Sequence, residues 1–107
     1  MIVISRLFFY FDYVGLTLWP FIILRERRLI SDHELINHER IHLRQQQELL
    51  ILPFYILYFT EWLVRSIAYL DCYKAYRNLS FEREAYRNEG DLDYLCGRQP
   101  LSFLKYL

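Results

Sequence analysis

The sequence predicts a small, mainly helical α+β domain, and three observations lead there. An N-terminal third rich in aromatic and β-branched residues contains a short strand pattern, Phe21 to Leu24 followed by Arg25. A long amphipathic helical pattern begins at Ser31-Asp32, and a second helix-length segment follows Pro53. The chain of 107 residues suits one domain, 1–107, with a small core.

Hydrophobic residues make up 54% of the chain, above the roughly 45–50% usual for globular proteins, which excludes intrinsic disorder. Aromatic residues make up 19%, and each ring can hide roughly 150–250 Å², so few side chains can supply most of the burial. Thirteen basic residues balance thirteen acidic ones, which leaves no electrostatic footprint for nucleic acid. Cys72 and Cys96 form neither a disulfide framework nor a Cys-rich zinc site, as expected for reduced thiols in a cytoplasmic protein. The apolar start, 1–24, lacks a basic leader and is broken by Arg6, Asp12, Gly15 and Pro20, so it is not read as a signal peptide.

Taken in order, Ser31-Asp32 offers an N-cap, and Glu34 sits in the first turn, where the helix dipole favours an acid. The apolar positions of that helix are Leu35, Ile36, Ile41, Leu43, Leu49 and Leu50. Pro53 is expected to kink it or to begin a new helix, because proline lacks the N–H and its ring collides with the preceding turn. Residues 54–70 form the second segment, apolar all round through Phe59 and therefore central or membrane-facing. Its uncharged run, Leu49 to Thr60, is twelve residues, short of the roughly twenty needed to span a bilayer; Glu61 and Arg65 are placed to pair at i and i+4. A third helix fits Ser80 to Glu89, capped by Ser80 and stopped by Gly90. In the tail, 91–107, a short helix, breaks at Gly97 and Pro100, and a closing apolar turn are expected.

Residues 38–42 read HERIH. Two histidines four apart lie about 40° from one another on a helix and can hold one ion, with Glu39 beside it. Imidazole nitrogens suit Zn²⁺ at about 2.0–2.1 Å, and a carboxylate next to the metal can take a proton from water and pass it to a leaving amine. Shuffling this composition yields HExxH in about 0.6% of chains, so a plain polar helix stripe is the competing reading. His33 lies about 140° from His38 and is expected at the surface or behind a ligand. A third ligand must come from downstream, where Glu82 and Glu84 are the candidates. Gln45 and Gln46, three and four residues past His42, are placed to hydrogen-bond a ligand.

HERIH followed by a separate helix with SFEREAY resembles the gluzincin metallopeptidases, and the chain length is similar to that of their minimal members, the minigluzincins. The resemblance covers roughly residues 35–90. It implies an active-site helix and a glutamate helix with a small N-terminal antiparallel sheet. By its Glu-x-x-Ala pattern it implies Glu82 as the third zinc ligand beside His38 and His42, and Glu39 as the general base of a zinc-dependent metallopeptidase acting on peptide or protein substrates. Arg40 and Arg44 depart from the uncharged residues usual there. Such peptidases add the substrate backbone to a sheet edge, for which Phe21 to Leu24 is the candidate. Tyr86 and His33 are candidates for oxyanion stabilisation, and the tail could shield the cleft, although docking into the core is the favoured reading. Two rival expectations stand beside this one: a zinc fold without turnover, and a non-catalytic protein whose segments 2–24 and 49–64 meet a membrane or a partner chain, with peripheral membrane contact open in either case.

Overall fold

The computed structural model describes residues 2–5 and 14–107. Three strands, β1 (Ile2–Ile4), β2 (Gly15–Leu18) and β3 (Phe21–Leu24), precede five helices: α1 (His33–Leu49), α2 (Ile51–Tyr69), α3 (Cys72–Arg77), α4 (Ser80–Asn88) and α5 (Tyr94–Gly97). Short 3-10 turns lie at Arg27–Ser31 and Ser102–Tyr106. The class is α+β and mainly helical, as the sequence predicts.

The sheet differs from the expectation in two ways. Its order is β1-β3-β2, with β1 parallel and β2 antiparallel to β3, so it is mixed rather than purely antiparallel. The candidate edge, Phe21 to Leu24, is therefore the central strand. Ile22, Ile23 and Leu24 are all buried, and a continuous apolar run of this kind belongs in the middle of a sheet. The strand laid over α1 is β2, whose Thr17 is buried against Glu39.

Asp32 caps α1 as predicted, its side chain accepting from the Leu35 amide at 3.1 Å. Asp32→Ala should cost about 1 kcal/mol, read as a lowered denaturant midpoint at unchanged slope; no change would show the cap to be idle. The break after α1 falls at Leu50, whose φ is 63°, and Pro53 sits inside the first turn of α2, where its missing N–H is tolerated. Helix α3 was not foreseen from the sequence; Asp71 caps it by accepting from the Tyr73 and Lys74 amides.

Ser80 is not the cap of α4 but its first residue: its amide and hydroxyl both donate to Glu61 of α2, at 2.8 and 2.6 Å. A carboxylate from another helix thus occupies the N-terminal site that a cap would fill. Gly90 does not end α4 with a left-handed turn, since no glycine has positive φ. The closing carbonyls are instead held by Asn37 of α1, whose amide donates to Asn88, Glu89 and Asp91.

Two small apolar clusters hold these elements. Ile22, Leu24 and Leu29 join Leu35, Ile36 and Leu43 between the sheet and α1. Phe54, Phe81 and Phe103 join Leu49, Tyr55 and Tyr58, so the tail docks in the core, with Phe103 stacked on Phe81. Most of the residues that α1 and α4 bury are polar: Asn37, His38, Glu39, His42, Gln45 and Gln46 on α1, and Ser80, Glu82 and Glu84 on α4. Such a layer is costly unless fully hydrogen-bonded. Among the described residues only the Ser66 hydroxyl is buried without a partner. Helix α2 is long and apolar enough to cross a membrane, yet Phe54 is its one buried residue.

Candidate metal centre

Helical spacing assembles the centre from two facing stripes. On α1 His38, His42 and Gln45 follow one another at four and three residues; on α4 Glu82 is followed at four residues by Tyr86 and at seven by Glu89, the residue that caps the helix end. The Nε2 atoms of His38 and His42 lie 3.2 and 3.1 Å from the same oxygen, Oε1 of Glu82. One ligand atom from each residue falls within 4.8 Å of the others, and all three side chains are buried. Glu82, not Glu84, reaches the imidazoles.

The hydrogen-bond directions can be deduced. Nδ1 of His38 is 2.8 Å from Oε2 of Glu89, and a carboxylate only accepts, so Nδ1 carries the proton. Gln45 donates through its amide nitrogen to the Phe81 carbonyl and to Glu84, which turns its oxygen toward Nδ1 of His42 at 2.8 Å. Both Nδ1 atoms are therefore donors, and both neutral rings aim an Nε2 lone pair at a carboxylate oxygen. Three acceptors converging on one point require a cation among them, either a proton or a metal ion. A tetrahedral zinc site with bonds of about 2.0–2.1 Å has edges of about 3.3–3.4 Å, close to the two separations between the imidazoles and Glu82. The two imidazoles and one carboxylate, each ring oriented by an oxygen behind it, fit that metal.

Electrostatics agree with this. Burial pulls the His42 imidazolium down, but Glu82 overcomes it and raises the pKa to about 9. Burial would raise the Glu82 carboxyl, yet His42 and His38 hold it well below the ordinary carboxylate range. Its second oxygen accepts from the Tyr58 hydroxyl at 2.7 Å.

Glu39 stands beside the cluster, its pKa raised because burial outweighs the nearby histidines. The Thr17 hydroxyl donates to Oε2 of Glu39 at 2.7 Å. Gly15 matters through close approach: a Cβ there would lie 2.8 Å from Oε1 of Glu39. A cavity of about 260 Å³ adjoins Glu39 on the His42 side, walled by Leu16, Phe54, Tyr55 and Tyr58. Another of about 680 Å³ adjoins it on the His38 side, walled by Leu35, Trp62, Tyr73 and Tyr86. Gly15, Glu39 and Tyr76 border both.

Other expectations divide. Gln45 orients His42, whereas Gln46 bonds instead to Thr17, Trp19 and Tyr55. His33 is exposed on the first turn of α1. Tyr86 packs its ring edge against His38 at 4.4 Å, and its hydroxyl meets that of Tyr76. Arg40 is exposed and Arg44 half-buried, and neither borders the two cavities. Glu84 instead anchors the tail by binding Arg98 and Tyr94. Sequence reasoning missed Glu89, Tyr58, Thr17 and the role of Gly15. Only Glu89, two turns beyond Glu82 on the same stripe, carried a readable signal. No family model, curated protein or solved structure matches the chain.

Proposed function

We propose that this protein is a zinc-dependent metallopeptidase, with His38, His42 and Glu82 holding the metal and Glu39 acting as general base. The observation that carries the reading is the convergence of two oriented Nε2 lone pairs and one carboxylate oxygen beside the buried Glu39 carboxyl. When bound, Zn²⁺ would supply the Lewis acidity that makes water a nucleophile near neutral pH. Glu39 takes the proton from the attacking water and hands it to the leaving amine, and Thr17 holds the carboxylate in place for both transfers. Glu89 and Gln45 fix the two imidazoles, and Tyr58 fixes the glutamate. The apolar walls on either side of Glu39 suit a peptide with bulky apolar side chains flanking the cleaved bond.

Metal binding tests the first half. In the metal-free protein the raised His42 pKa contributes stability below about pH 6.5 that is lost as pH rises through about 9. The depressed Glu82 pKa contributes stability above its ordinary value of 4.5 that is lost as pH falls below it. Zinc must displace the His42 proton. Calorimetric titration should find one ion per chain, bound about tenfold more tightly per pH unit from 7 to 9 and levelling above. His42→Ala should remove the site. Failure to bind one ion, or equal affinity at pH 7 and 9, would overturn the assignment.

A further inference from the structure

We propose that the outer face of α2 seats on a lipid bilayer, with the helix lying in the membrane surface rather than crossing it. Leu52, Ile56, Phe59, Leu63, Ile67 and Leu70 recur at helical spacing and are all exposed, Leu52 and Ile67 by about 70%. They form one stripe about 27 Å long. A contiguous apolar patch built from six large, exposed side chains is the kind of surface that marks a protein or membrane contact.

The charged and hydroxyl groups nearest the face are paired, apart from the buried Ser66 hydroxyl. Glu61 and Arg65 pair with each other at 2.9 Å, and Glu61 also holds the start of α4. The Thr60 hydroxyl, which lies beside the stripe, donates to the Ile56 carbonyl one turn back at 2.6 Å. A protein partner ordinarily finds about one hydrogen bond per 100–200 Å² and a polar rim, and this stripe offers neither. Lipid acyl chains need none.

The exposed apolar surface is also not confined to α2, which argues against a second copy of this chain as the occupant. Ile2, Val3, Leu16, Leu18, Trp19 and Phe21 of the sheet region are exposed as well. Among the described residues 24 large apolar side chains are exposed and 11 apolar residues are buried, more than one twofold contact along a helix can cover. Crossing is disfavoured because it would carry Glu61, Arg65 and the attached α4 into hydrocarbon. With thirteen charges of each sign, attraction to anionic lipid is not the driving force. The opposite side of the same helix supplies Phe54, Tyr55 and Tyr58 to the smaller cavity, so docking would hold the cleft close to the membrane surface. The proposal stands whether or not the centre turns over substrate.

The test is flotation of the full chain with neutral phosphatidylcholine vesicles, after dilution from detergent. Wild-type protein should float, in 1 M salt as in low salt. Ile56→Glu/Ile67→Glu, two exposed positions, should lose more than tenfold of the bound fraction while keeping its far-ultraviolet circular dichroism and becoming a detergent-free monomer. Should that pair fail to fold, Phe59→Trp decides instead, since its added emission should be quenched by phosphatidylcholine brominated on the acyl chains. The proposal is overturned by wild-type protein that stays unbound as a monomer, forms a dimer that the double substitution splits, or pellets despite vesicles. Flotation of the double variant equal to wild type, or added emission in Phe59→Trp that the brominated lipid leaves unquenched, overturns it too.

Discussion

Glu39→Gln should retain one zinc ion per chain and lose about 10²–10⁴-fold in peptide cleavage, the range that a positioned general base contributes. The neutral amide keeps the volume beside the cluster and still accepts from Thr17, so packing and metal content should hold, but it cannot take a proton from water. A quenched fluorescent peptide library rich in apolar and aromatic residues is the appropriate assay, given the walls on either side of Glu39. Cleavage that persists in the zinc-loaded variant would show another base at work. Zinc-loaded wild-type protein inert toward the whole library would leave a metal fold without turnover.

The α1 stripe was legible because periodicity and chemistry coincide there: histidines four apart must share a face, and Gln45 one turn on must share it too. The choice between Glu82 and Glu84 was open on spacing alone, since residues two apart point about 160° away from each other and either could have faced α1. The Ala85-Tyr86 context favoured Glu82, the residue that meets the imidazoles. What could not be read was pairing across distance. Thr17 reaches Glu39 only because β2 lies over α1, and strand order has no signature in a four-residue apolar run. The ends of α4 are likewise set by residues far away in the chain, Glu61 and Asn37, so the local cues at Ser80 and Gly90 gave the helix its limits but not its caps.

The polar layer also explains why the apolar residues are distributed as they are. A helix that buries two histidines, two glutamines, an asparagine and a glutamate has little face left for a hydrophobic core. The core is split into two small clusters on either side, and stability has to come from the completeness of hydrogen bonding between α1 and α4. Much of the remaining apolar side-chain area lies outside, on α2, on the strands and in the tail. A high hydrophobic content in so short a chain therefore does not translate into a large interior.

The second large effect is expected at the tail. Glu84 is fully buried and accepts from Arg98 through two of its nitrogens, from Tyr94 at 2.7 Å and from Gln45 at 2.9 Å. Burial alone would raise its pKa, but these donors hold it below the ordinary value. Arg98 also binds Glu48 on α1 at 2.8 Å, so one tail residue clamps both helices of the centre. Arg98→Met keeps most of the side-chain volume and leaves the Glu84 carboxylate buried without its cation, which should cost about 3–5 kcal/mol in a denaturant titration. Pairing it with Glu84→Gln, which removes the stranded charge, should recover a large part of that loss. The same substitution should reach the metal, because Glu84 steadies Gln45 and Gln45 steadies His42; zinc affinity in Arg98→Met should fall about 10–100-fold, as when a ligand's supporting partner is lost. Unchanged stability would mean that water can serve Glu84 as well as the guanidinium does. Lost stability with unchanged zinc affinity would show that the tail holds the two helices together without tuning the centre between them.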